Sequence, residues 1–348
     1  MLRVMLPQSF LIVLLAAIFS ASTQARQTTQ PSAAQPSVDE AQNLLHQGKN
    51  TEAFAMLQQL SDAQPPAKGV QHLLGVAYYR TGKLAEAQKA FEAAIKEDPS
   101  DRESVQMEGL TLYRMGRPAE AIPFLARVRQ WMPNANADSN YVLGLCYMAA
   151  RKYEDARGAF ATEFGVPPES SAAYLVLARM LLNAELPEFA AQQAAKAVEL
   201  SPDLPLAHFT LGEVYLFKSD VEHATFEFEH ERRINPGYAP TYDRLGDLYT
   251  RAGKLEEAQQ SLTKAISLDR SSTGPFIQMG KVLLRRDDPQ TAILYLKHAE
   301  KMDPGNFITH TLLAQAYRKL GQDDLAKHET ETASKIHSDN ELKLQPPQ

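Results

Sequence analysis

His223, Glu227 and His230 are the residues of this 348-residue chain whose types and spacing come nearest to chemistry. On a helix they fall at i, i+4 and i+7, one face, and could offer two imidazoles and a carboxylate to one metal ion. No fourth ligand is evident. The three also lie off the stripe set by Ala224 and Phe228, as a solvated outer face would, so no metal is expected. Cys146 is the single cysteine and can form no intrachain disulfide. It sits between Leu145 and Tyr147 with no base or cation beside it to favour the thiolate, and reads as a small buried hydrophobe. No phosphate loop, dinucleotide fingerprint or G-x-S-x-G elbow occurs. No catalytic residue and no cofactor are assigned, and the chain is read as not an enzyme.

The elements that hold these residues are set out by proline. Pro65, Pro99, Pro133, Pro168, Pro202, Pro236 and Pro304 are spaced 34, 34, 35, 34, 34 and 68 residues apart. A fixed period of this size marks an array of stacked units. Between the prolines a pattern recurs. Leu74-Gly75 and Tyr78 lead to Gly82, Ala87, Phe91, Ala94 and Pro99. Leu143-Gly144 and Tyr147 lead to Ala156, Phe160 and Pro168. Leu211-Gly212 and Tyr215 lead to Ala224, Phe228 and Pro236, and Leu245-Gly246 and Tyr249 to Gly253, Ala258, Leu262 and Ala265.

Each half of the pattern is a helix stripe. Leu74, Gly75 and Tyr78 are three and four apart, as are Ala87, Phe91 and Ala94. Gly82 can take the left-handed turn that ends the first helix, and Pro99 cannot continue the second. Gly75 and Ala87 let two backbones approach, with Phe91 expected to fill the space toward the next unit.

The spaced L-G-x-x-Y, A-x-x-x-F and P positions resemble the tetratricopeptide repeat family. The resemblance spans roughly residues 34–338, in nine units starting near 34, 68, 102, 137, 171, 205, 239, 273 and 307. It implies an all-α, right-handed superhelical solenoid of helix-turn-helix units. The edge units are degenerate: Ala41 and Leu44 replace Gly and Tyr in the first, and Thr330 and Ser338 replace the apolar residue and the proline in the ninth. Residues 339–348 are expected to be a disordered tail. The longer step from Pro133 to Pro168 predicts a wider turn at Gly165–Pro168.

Residues 1–25 read as a secretory signal peptide: Arg3, an apolar run from Phe10 to Phe19, and Thr23-Gln24-Ala25 as a small-x-small cleavage site. The alternative is an uncleaved anchor, for which the run is short. Residues 26–37 read as a polar, proline-bearing disordered tether. The expectation is a periplasmic or secreted bacterial protein with no membrane span after cleavage; no N-x-[ST] sequon occurs. Net charge is −6, or −7 once Arg3 leaves with the leader, which argues against nucleic acid.

The resemblance further implies that the first helices line a concave groove for a peptide or protein. The groove residues assigned by position are Tyr79, Tyr113, Tyr141, Leu145, Met148, Leu175, Leu182, Phe209, Leu216 and Phe217. Arg80 and Arg114 lie in the same rows. Farther along the positions turn charged: Asp243, Asp247 and Arg251, then Lys281 and Arg285, then Gln315, Arg318 and Lys319. The sequence departs from the lysine and asparagine set with which some members clamp a terminal carboxylate. The reading is a non-catalytic scaffold of the bacterial envelope. The alternative is an accessory or recognition subunit of an envelope enzyme or secretion complex.

Overall fold

The computed structural model describes residues 37–132 and 137–344. The stretch read as a leader, and all but Ser37 of the stretch read as a tether, lie outside them. Eighteen helices and no strand are found among the described residues. In the first compact unit, α1 (Val38–His46) pairs with α2 (Asn50–Asp62), and α3 (Val70–Arg80) with α4 (Leu84–Glu97). There follow α5 (Arg102–Arg114) with α6 (Pro118–Trp131), and α7 (Ala137–Ala149) with α8 (Tyr153–Glu163). The second compact unit begins at Glu169. Its pairs are α9 (Ser171–Asn183) and α10 (Pro187–Leu200), α11 (Ala207–Phe217) and α12 (Val221–Ile234), and α13 (Ala239–Arg251) and α14 (Leu255–Leu268). The last two are α15 (Gly274–Arg285) and α16 (Pro289–Met302), and α17 (Phe307–Lys319) and α18 (Asp323–Leu344).

Within a unit each helix packs on the next in sequence. First helices also pack on first helices, as α3 does on α5 and α15 on α17. That contact makes a row of first helices distinct from the second ones.

The glycine of each pair is explained by what lies on it. A Cβ at Gly144 would stand 2.5 Å from the Phe160 ring, and one at Gly246 2.5 Å from Leu262. Those partners come sixteen residues later in the chain. Phe91 likewise lies on Gly75 of its own pair, where a Cβ would be 2.5 Å away. It therefore closes its own hairpin, not the space toward the next unit. Where the glycine becomes Ala178, the residue sixteen later shrinks to Ala194, and both are buried in one cluster with Leu211. The bulk gained at one position goes with bulk lost at the other, the direction a close-packed core requires.

Turns between paired helices carry a left-handed residue seven after that glycine position. It is glycine at 82 (φ 77°), 116 (φ 74°) and 253 (φ 75°), but Arg151, Glu185 and Ser219 at φ 57°, 57° and 59°. The join before α9 is residues 164–170, with no helix through Pro167 and Pro168. One boundary moves: α18 runs to Leu344, through most of the stretch expected to be a disordered tail. Ser338 stands where a proline would have stopped it, and the next prolines are Pro346 and Pro347.

Candidate functional site

The first-helix rows carry the assigned groove residues, and the structure treats them unequally. In the first unit Tyr79 is half-buried under the Arg114 guanidinium, 4.4 Å from its ring centre. Tyr113 packs on the cluster of Leu112, Leu143 and Cys146. Burial pushes its phenol pKa upward, with smaller contributions from Cys146 and Tyr141. Tyr141 tilts against Phe160 at 5.7 Å, and Leu145 is half-buried. Met148 is buried at 7% exposure.

In the second unit Leu175 is buried at 8%. Phe209 stands edge-on to Phe228 at 5.3 Å and to Tyr238 at 5.1 Å. Met148 and Leu175 are thus core residues, and Phe209 is a wedge against the core, because each first helix is packed by the elements around it. Leu182 and Leu216 are half-buried, and Phe217 stands 55% exposed at the end of α11. Of the ten, Phe217 presents the most apolar surface.

The charged stretch beyond is largely paired with itself. Arg251 meets Asp247 at 2.6 Å and Arg244 meets Glu213 at 2.5 Å. Gln278 donates to Asp243 at 2.9 Å, and burial raises the Asp243 pKa. Lys319 reaches Asp287 at 2.5 Å, and Lys281 is exposed.

Three arginines of the rows have structural partners 35 residues back. Arg80 Nη1 donates to the Leu45 carbonyl at 2.8 Å and Arg114 Nη1 to the Tyr79 carbonyl at 3.2 Å. Arg285 Nη1 donates to the Thr250 carbonyl. Each guanidinium thus satisfies a carbonyl at the C-terminal end of the preceding first helix, where the helix dipole favours a cation. These arginines staple pair to pair.

The suspected metal face does not converge. His223 Nδ1 pairs with Asp220 at 2.7 Å. Glu227 turns inward and holds His208 Nδ1 at 2.5 Å. His230 stacks on the His208 ring at 4.9 Å and lies tilted against Phe226 at 4.6 Å. Burial, helped by Arg233 and His208, lowers the His230 pKa. Cys146 is buried, and burial pushes its thiol up to about 12, far from a reactive thiolate.

Sequence reasoning missed the His208–Glu227 pair and its counterpart, His310–Glu329. His310 Nδ1 meets Glu329 at 2.6 Å. The second ring nitrogens donate to the carbonyls of Pro202 at 3.0 Å and Pro304 at 3.1 Å. Tyr242 makes the same bond to the Pro236 carbonyl at 3.1 Å. A donor six residues after the proline thus ties the incoming loop to the first helix. In the two histidine pairs a glutamate nineteen residues on completes the latch, a recurrence that was visible at three periods' distance. The Glu227 bond, against the opposing effect of burial, raises the His208 pKa. Glu300 joins His310 and Glu329 in a cluster of possible metal ligands. Lys297 already lies 2.9 Å from both Glu300 and Glu329, so a cation is in place there.

Comparison with known proteins agrees with this fold. Tetratricopeptide repeat families match residues 44–107, 141–205 and 239–272. The family of the anaphase-promoting complex, cyclosome, subunit 3 matches residues 82–163. The chain therefore carries tetratricopeptide repeats. Anaphase-promoting complex subunit 3 of Schizosaccharomyces pombe is 23% identical over 82% of this chain and 43% of its own length. The CTR9 homolog of Arabidopsis thaliana is 24% identical over 70% of this chain and 23% of its own. The chain thus spans less than half the length of these relatives. Among solved structures, YrrB, described as a TPR protein with an unusual peptide-binding site, is 22% identical, with a TM-score of 0.47 over 55% of this chain and 97% of that one. MamA has a TM-score of 0.44 at 17% identity, over 47% of this chain and 95% of that one.

Proposed function

We propose that the protein is a non-catalytic scaffold that holds a peptide or protein partner against its first helices. In the second unit the contact is centred on Leu182, Leu216 and Phe217. The observation that carries this reading is Phe217. It is a large apolar side chain, 55% exposed, at the position where three other pairs carry a stapling arginine. Exposed aromatic side chains beside half-buried leucines are what partner anchors look like before they are covered. The partner would place apolar residues there and polar ones over the α13–α17 stretch, where Lys281 is exposed. The names of the relatives, a subunit of a multi-protein complex among them, favour membership of a larger assembly. The signal-like pattern of residues 1–25, a basic start, an apolar run and a small-x-small site, favours a place in the bacterial envelope, periplasmic or secreted. No helix among the described residues is long and apolar enough to cross a membrane.

A photo-crosslinking amino acid at position 217 tests the reading in the intact chain. Position 294 is the control, since Leu294 is 70% exposed but lies on the second helix α16. A discrete adduct at 217 that is absent at 294 and lost in Leu216→Glu is expected. Equal, diffuse labelling at both positions would refute a first-helix site.

A further inference from the structure

One pair breaks the core rule. The residue before the small helix-contact residue is apolar at Leu74, Leu143, Leu245 and Met279, among others. In the third pair it is Glu108, only 1% exposed. Elsewhere this position packs on the preceding second helix, as Leu245 clusters with Ala224 and Phe228. Glu108 faces α4 in the same way, toward Gln88 and Glu92. Its Oε2 is buried with no hydrogen-bond partner. A buried polar atom left unpaired is costly, and a buried carboxylate far more so when it is charged.

The groups around it do not cancel that charge. Arg117 is engaged elsewhere: its Nε and Nη2 hold Glu120 at 2.7 and 2.6 Å, and its Nη1 donates to Gln88 Oε1 at 2.8 Å. Gln88 Nε2 donates to Glu92 at 2.7 Å. On the α3 side stands His72, which bonds Ser104 at 2.8 Å and lies 3.5 Å from Asp101 and 3.6 Å from Glu103.

We propose that Glu108 is a proton-operated latch between α4 and α5. Neutral, it fills the place of leucine. Ionised, it must draw in water or pull Arg117 from Glu120, and the α4–α5 contact loosens. Burial, with the Glu92 charge adding to it, pushes the carboxyl up to about 7, against the pull of Arg117 and Gln88. A carboxyl raised in the folded chain stabilises it fully below the ordinary carboxylate range. That stability is lost as pH rises through about 7. The latch therefore weakens from the ordinary carboxylate range up to about pH 7, opposite to a salt-bridged carboxylate.

The test is thermal melting of the full chain, wild type against Glu108→Gln and Glu108→Leu, from about pH 5 to about pH 8. Glutamine keeps the shape and cannot ionise; leucine restores the residue of the other pairs. Both variants are expected to gain on the wild type as pH rises, the gap in Tm widening by several degrees up to about pH 7 and levelling off above it. His72 titrates nearby, but it is present in all three chains and cancels in the difference. Amide exchange should show the opening at the α4–α5 contact in the wild type at the higher pH only. A gap that stays constant with pH, in the glutamine variant or the leucine one, would overturn the latch. If the leucine variant fails to fold, the glutamine comparison alone decides.

Discussion

Arg80, Arg114 and Arg285 occupy the last turn of their first helices; Ala149, Asn183 and Phe217 hold the same repeat position elsewhere. In the first group the side chain reaches back to a carbonyl of the preceding first helix. In the second group it cannot. Alanine and asparagine are too short, and phenylalanine has no donor. A position in a repeat is thus a place and not a role. It is a staple where a long cation reaches the carbonyl behind it, an ion pair where Arg251 and Lys319 meet Asp247 and Asp287, and open surface at Phe217. The contrast is sharpest inside the second unit, where Phe217 of α11 is 55% exposed and Arg285 of α15 is bonded to Thr250.

The largest expected effect separates core from surface within one pair. Phe228 is fully buried over Gly212, and Phe228→Ala should destabilise the second unit by roughly 3–5 kcal/mol. Phe217→Ala should change stability by less than about 0.5 kcal/mol. Phe209→Ala belongs with Phe228, because Phe209 leans on that ring. Urea denaturation orders the three variants. A Phe217→Ala loss as large as that of Phe209→Ala would make Phe217 packing and erase the contrast.

The staples come next in size. Arg285→Met keeps the aliphatic stem and removes the hydrogen bond to the Thr250 carbonyl, which should cost about 1 kcal/mol. Exchange should quicken at the C-terminal turn of α13 and not at α17. Phe217→Arg makes the converse case: a new bond to the carbonyl 35 residues back is expected to stabilise, while partner binding is lost. A Phe217→Arg chain that binds its partner normally would count against the apolar site.

The fold was legible because its determinants are local and repeated. Gly75 with Phe91, Gly144 with Phe160 and Gly246 with Leu262 recur at a fixed offset, and each contact is closed within one hairpin. The rows of the site were legible only as rows. Whether Met148 faces out or in depends on what packs beside it, which the period does not encode. Glu227 illustrates the other failure: its helical spacing to His223 and His230 suggested a shared face, but the charge went to His208 on the neighbouring helix. The His208 and His310 latches were encoded by proline and glutamate at matching offsets. That signal stood outside the repeat pattern because it occurs in two pairs only.

The smallest effect probes the turns. Gly82 and Gly253 have φ of 77° and 75°, and Glu185 holds the equivalent place at 57°. A side chain in the left-handed region costs about 1 kcal/mol or more, whereas glycine sits there without strain. Glycine also frees the unfolded chain, which takes back about 0.5–1 kcal/mol. Glu185→Gly should therefore stabilise slightly, by about 0.5 kcal/mol at most. Gly253→Ala, the reverse change at the equivalent turn, should destabilise by a similarly small amount, about 0.5 kcal/mol at most. No atom lies within 4 Å of a Cβ at Gly253, so that loss would report the backbone and not a clash. Matched melts of the two variants make the comparison. Opposite signs mean that the turns share one backbone and differ only in residue. If Glu185→Gly lowers Tm as much as Gly253→Ala does, the Glu185 side chain holds its turn by another means, and the turns are not equivalent.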